Sequence, residues 1–106
     1  MAPSTDTIVA AVQTLRDDAH TWRAGGAELA AAARAAAALG LDAHHFSYLG
    51  DEVGLTAVYQ RLHAKLGRLL GEAAVNCANV AGALEAAAAG YERDERDAVH
   101  LLAGVW

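Results

Sequence analysis

The sequence predicts an all-α protein, an antiparallel two-helix hairpin that forms a four-helix bundle on dimerisation. Three observations carry this prediction. Larger apolar residues recur at a spacing of seven near the N-terminus. A second, longer segment places apolar residues at steps of three and four. Between them lies a stretch punctuated by Gly40, Gly50 and Gly54. Heptad recurrence and the mixed three-and-four step are the marks of helices that bury one stripe, and glycines mark the turn between them.

The first helix is expected over about residues 6–39. Pro3 precedes Ser4, Thr5 and Asp6, all good N-caps. Ile8, Leu15, Trp22 and Leu29 form the seam, with Val12, Ala19, Gly26 and Ala33 between them. Alanine, the strongest helix former, dominates its later part, and Gly40 is the expected stop. At ~1.5 Å per residue such a helix spans about 50 Å. The turn covers about residues 40–50, with a short helical twist around His44 to Tyr48.

The second helix is expected over about residues 51–96, followed by a tail over 97–106. Its larger side chains fall at Tyr59, Leu62, Leu66, Leu70, Ala73, Cys77, Val80, Leu84 and Tyr91. Beside them runs a line of small residues, Gly67, Gly71, Ala74, Ala78, Gly82 and Ala89. One reading of this line is drift in an alanine- and glycine-heavy sequence. The other is a second helix passing close by, since small residues let axes approach toward the lower end of the ~8–10 Å range. Partner contact is accordingly expected at Trp22, Leu29, Tyr59, Leu62, Leu66, Gly67, Gly71, Ala74 and Ala78.

Composition explains why a partner is expected at all. Apolar types make up 55 % of 106 residues, but there are only two Trp, three Tyr, one Phe and one Met. Alanine buries little area, so each helix contributes little hydrophobic stabilisation by itself. The net charge of −5 argues against nucleic acid and against electrostatic attachment to anionic lipid. A single cysteine excludes an internal disulfide. The alanine-rich run is too short to span a bilayer, and no conventional signal peptide is visible.

Chemistry finds little support. There is no phosphate loop, zinc pattern or nucleophile elbow, and no glutamate is followed three residues later by histidine, as di-iron bundles require. His20, His44, His45, His63 and His100 read as solvated side chains, and Cys77 as a small core residue. The expectation is a protein that is not an enzyme and holds no cofactor or metal.

One cluster remains, "GYERDERDAV" at residues 90–99. Tyr91 and Glu95 stand four apart and share one face of a helix. A second Tyr-x-x-x-Glu occurs at Tyr48 and Glu52, in the turn. Val99, Leu102 and Trp106 continue an apolar line beyond the cluster, either as a last turn packed on the hairpin or as an amphipathic peptide that docks elsewhere.

With its length, its alanine-rich helix, the turn "HHFSYLG" and the ending "AAAAGYERDE", the chain resembles the small helical hairpins exported by type VII (ESX) secretion systems. These are the WxG-like proteins and, closer in appearance, the EspC-like excreted factors. The resemblance implies that Tyr91 and Glu95 form an export signal, that the chain travels as a dimer with another small hairpin, and that its C-terminal apolar residues engage the secretion ATPase. It implies leaderless secretion after synthesis in the cytoplasm. The chain departs from the WxG pattern: no Trp-x-Gly stands in the turn, and Gly25 follows Trp22 at the wrong spacing, inside the first helix. Either Phe46, Tyr48 and Gly50 replace the missing turn or a different partner chain supplies it, and the departure favours a hetero-partner over a homodimer. The alternative is a cytoplasmic helical adaptor that lends targeting to a larger secreted effector.

Overall fold

The computed structural model describes residues 4–105, and among them there is no strand. Helix α1 covers Thr5–Ala37, a 3-10 turn covers Ala43–His45, α2 covers Tyr48–Glu52 and α3 covers Leu55–Val105. The helical-hairpin character expected from the sequence is present.

The boundaries differ from expectation in three places, each with a local cause. Helix α1 stops at Ala37, because Leu39 N–H turns back to the Ala36 carbonyl at 3.1 Å and tightens the last turn. Gly40 is not the left-handed stop. Among the described residues only Gly54 has a positive φ, at 83°. Gly54 explains the second difference, since it separates α3 from the five-residue helix α2. Ser47 starts α2 by accepting the Gly50 N–H on Oγ at 3.1 Å. The second long helix therefore begins at Leu55, not Asp51. The third difference is at the far end, where α3 continues through residues 97–105 instead of giving way to a tail. No proline or glycine stands between Tyr91 and Gly104 to interrupt it.

The chain divides into two compact units. The first joins Met1–Ala24 to Cys77–Trp106. Ser4 caps α1 here, its Oγ accepting the Thr7 N–H at 3.2 Å. The helices run antiparallel. Arg16 meets Glu92 and Arg23 meets Glu85, so a step of seven along α1 matches a step of seven back along α3. The buried positions are Val12, Ala19, Ala81 and Ala88. The larger seam residues Ile8 and Leu15 are only half-buried and Trp22 is exposed. The innermost residues are thus the small ones, Ala81 and Ala88 at 0 % exposure, because they let two backbones come close.

The second unit is Gly25–Asn76. An aromatic clasp holds the turn to α3. Tyr59 Oη donates to the Leu39 carbonyl at 2.8 Å, and His63 Nε2 bonds to the Ala36 carbonyl. The Tyr59 ring lies 6.0 Å from that of His63 in a stacked arrangement and 5.7 Å from that of Phe46. Gln60 Nε2 reaches the Leu41 carbonyl at 3.4 Å. Ala36 and Thr56 are buried here.

No large side chain is fully buried among the described residues. The buried residues are mostly alanines, joined by Val12 and Thr56, while many leucines and valines stay half-buried or exposed. That is the consequence of the composition, since a methyl side chain offers little area to remove from solvent.

Candidate functional site

In the first unit, Cys77, Leu84 and Tyr91 are spaced by seven along α3, and so are Ala81, Ala88 and Glu95. Cys77 and Leu84 are half-buried, and Ala81 and Ala88 are fully buried. Tyr91 and Glu95 therefore occupy the next repeat of the seam that faces α1. They do not sit on the opposite, wholly solvated side. At this point α1 is close to its first turn, and the seam opens. Tyr91 is 56 % exposed and Glu95 half-buried.

The opening is a groove of about 440 Å³ lined by Thr5 and Ile8 of α1 and by Tyr91, Asp94, Glu95, Ala98, Val99 and Leu102 of α3. Its walls are mostly apolar. Among the described residues Asp94 and Glu95 are its only charged lining residues, and neither has an ion-pair partner there. Glu92, next to Tyr91 in sequence, is held by Arg16 and does not line the groove. The structure thus brings Tyr91, Glu95, Val99 and Leu102 to one surface. Trp106, the last of the expected tail residues, lies outside the described residues.

The second Tyr-x-x-x-Glu has a different setting. Tyr48 and Glu52 are the two ends of α2, Tyr48 is among the most exposed large side chains, and neither lines the groove that holds Tyr91 and Glu95.

The expected partner-contact residues fall into three groups. Trp22, Leu62, Leu66 and Ala78 are exposed. Leu29, Gly67, Gly71 and Ala74 are half-buried. Tyr59 is half-buried and already committed to the clasp with Leu39. A Cβ built at Gly67, Gly71 or Gly82 meets nothing within 4 Å among the described residues, so none of them packs against the space a methyl group would fill there. The small-residue line of α3 is not explained by a helix of the same chain at these positions.

A second cleft, of about 230 Å³, lies in the Gly25–Asn76 unit between Ala36, Leu39, Tyr59, Leu62, His63 and Leu66. It is a continuation of the exposed leucines of α3 rather than an enclosed cavity. Its one titratable imidazole, His63, is tied to the Ala36 carbonyl.

The remaining histidines give no metal centre: among the described residues no three His, Cys, Asp or Glu side chains gather as a metal ion would need. His44 and His45 organise the turn instead. Asp42 Oδ1 accepts the His44 N–H at 2.9 Å and lies 3.1 Å from His45 Nδ1. The His44 N–H is the main cause that holds the Asp42 carboxyl below its ordinary 3.8; desolvation opposes it, and the hydrogen bond and charge of His45 add smaller lowering contributions. Cys77 is a free, half-buried thiol. No helix among the described residues is long and apolar enough to cross a membrane.

Two features escaped sequence reasoning. The Asp42 turn needed the 3-10 geometry to be recognised. The other was legible: Arg61, Lys65 and Arg68 all precede the first acidic residue of α3, Glu72, so charge is segregated along that helix although the chain is acidic overall.

No protein-family model, curated protein or solved structure matches the chain.

Proposed function

We propose that the protein is a type VII secretion substrate or secretion-associated protein that acts without catalysis, by pairing with another helical hairpin and presenting Tyr91 and Glu95 at the end of α3. One observation carries the reading. Tyr91 and Glu95 share an open groove with Val99 and Leu102, so the aromatic–acidic pair and the apolar end of α3 make one continuous surface. Two side chains four apart on a helix form a patch of fixed shape, which a recognition protein can read without ordering a loop first. The pairing is supported by the thin alanine core and by the large apolar side chains left exposed on α3. Two such hairpins packed together make a four-helix bundle, which buries what each leaves in water.

The test is export from a host that carries the secretion system. Tyr91→Ala and Glu95→Ala are each expected to reduce release strongly while the protein accumulates inside the cell. Tyr48→Ala, in the turn, is expected to be released as wild type. Undiminished release of both Tyr91→Ala and Glu95→Ala removes the signal claim.

A second reading, an adaptor that binds a larger effector in the cytoplasm, is favoured by the exposed leucines of the Gly25–Asn76 unit, which offer a seat to a partner helix. It predicts a stoichiometric larger chain on purification from the native host.

A further inference from the structure

Within the Gly25–Asn76 unit, Leu62, Leu66 and Leu69 of α3 are all exposed, Leu62 the most at 62 %. Their steps of four and three place them on one narrow stripe of the helix. Arg61, Lys65 and Arg68 are exposed as well and flank that stripe on one side. On the other side lie Tyr59, His63 and Leu70, half-buried. Between Val53 and Gly71 the sequence carries three basic residues and no acidic one. None of the three cations has an ion-pair partner among the described residues. At its edge the stripe opens into the cleft of about 230 Å³ between Leu62, Leu66 and Leu39.

We infer that this stripe is a docking seat for an amphipathic helix of a different chain, one with leucine-type residues at heptad spacing and glutamate or aspartate along the flank that meets Arg61, Lys65 and Arg68. Three properties select that occupant. The stripe has the narrow a/d width of a helix–helix seam, whereas helices that lie in a bilayer surface present a broad apolar face. The cleft beside Leu62 and Leu66 can receive one large apolar side chain from the partner, as a hole receives a knob. The cations disfavour a second copy laid antiparallel on this segment, because that pairing sets Arg61, Lys65 and Arg68 against the same residues, and a parallel second copy leaves all three cations without an acidic partner. An acidic flank converts that repulsion into complementarity and sets register and orientation.

The inference rests on the pairing proposed above and specifies the partner's chemistry. Tyr91 and Glu95 are not part of this surface, so the docking seat and the export signal fail separately.

The test uses the full chain and two synthetic four-heptad helices with identical leucine seams. One carries glutamate at its flanking positions and the other lysine. Binding is measured by fluorescence anisotropy at about 50 and about 200 mM salt. The glutamate helix is expected to bind at least about tenfold tighter than the lysine helix, with the gap narrowing at the higher salt. The triple variant R61E/K65E/R68E is expected to reverse the preference, and Leu62→Asn with Leu66→Asn to weaken both helices. Circular dichroism of each variant checks that the helices persist, and the single Lys65→Glu variant gives a smaller shift in the same direction should the triple variant unfold. Equal affinity for the two helices, or no binding of either, overturns the inference. So does tighter uptake onto phosphatidylglycerol vesicles than onto the glutamate helix. Self-association of the wild-type chain that Leu62→Asn and Leu66→Asn abolish also overturns it, since a second copy then covers the stripe.

Discussion

Arg16 places both Nη2, at 2.9 Å, and Nε, at 3.3 Å, on a single carboxylate oxygen of Glu92, across the two helices of the first unit. One helical repeat further along α1, Arg23 meets Glu85 at 3.0 Å. Sliding one helix by a single residue breaks both pairs together. Burial alone specifies register weakly here, because alanine fits against alanine at several offsets. The two pairs therefore select the register more than they stabilise the fold. Both lie near the surface, Arg16 and Glu92 at 42 % and 45 % side-chain exposure.

A double-mutant cycle on Arg16→Ala and Glu92→Ala is expected to give a coupling of about 0.2–1 kcal/mol, as exposed ion pairs do. The coupling should fade toward zero at about 1 M salt, where the screening length falls to about 3 Å. The charge-exchanged pair R16E/E92R should regain most of the loss seen in either single charge reversal. A coupling of zero in low salt contradicts the pairing and with it the register argument.

The helices were legible from the sequence because alanine-rich segments with heptad seams have few other structures open to them. Val12 and Ala19 lie on the expected seam and are buried. What periodicity could not rank was depth. Tyr59, Leu62 and Leu66 look equivalent as apolar residues, yet Tyr59 is drawn into the turn by the Leu39 carbonyl while Leu62 and Leu66 stay in water. That partition depends on where the turn returns the chain. The turn in turn depends on the left-handed Gly54 and the Ser47 cap, neither of which has a periodic signal. The candidate site was half legible. The four-residue spacing of Tyr91 and Glu95 was plain, but that they extend the inner seam, beside Ile8, requires the antiparallel register.

The glycines of α3 and its approach divide into two kinds. Gly54, at φ 83°, is required by the backbone, and Gly54→Ala is expected to cost about 1–2 kcal/mol, the penalty of a side chain in the left-handed region. Gly67, Gly71 and Gly82 are helical with open space around the missing Cβ. Each Gly→Ala change there is expected to stabilise the isolated chain by about 0.5–1 kcal/mol. Urea midpoints with unchanged slopes provide the measurement. Loss of stability at Gly67 or Gly71 in the isolated chain would mean that something of the chain itself already occupies that space.

The turn should respond to acid through Asp42. Its carboxylate accepts the His44 N–H at 2.9 Å and lies 3.1 Å from His45 Nδ1, and the first of these is the largest cause of its lowered pKa. A carboxyl whose folded pKa lies below its unfolded value binds protons less readily when folded. Its contribution is therefore fully present above the ordinary 3.8 and is lost as pH falls from there through the lowered folded value. Carbon NMR of the Asp42 carboxyl should titrate below 3.8, and the His44 amide should exchange faster once that titration is passed. Asp42→Asn keeps an acceptor oxygen near the His44 N–H but has no charge to lose, so its turn amides should lack the acid-dependent step. An Asp42 midpoint at or above 3.8 in the folded chain rules out the hydrogen bond as a feature of the turn in solution.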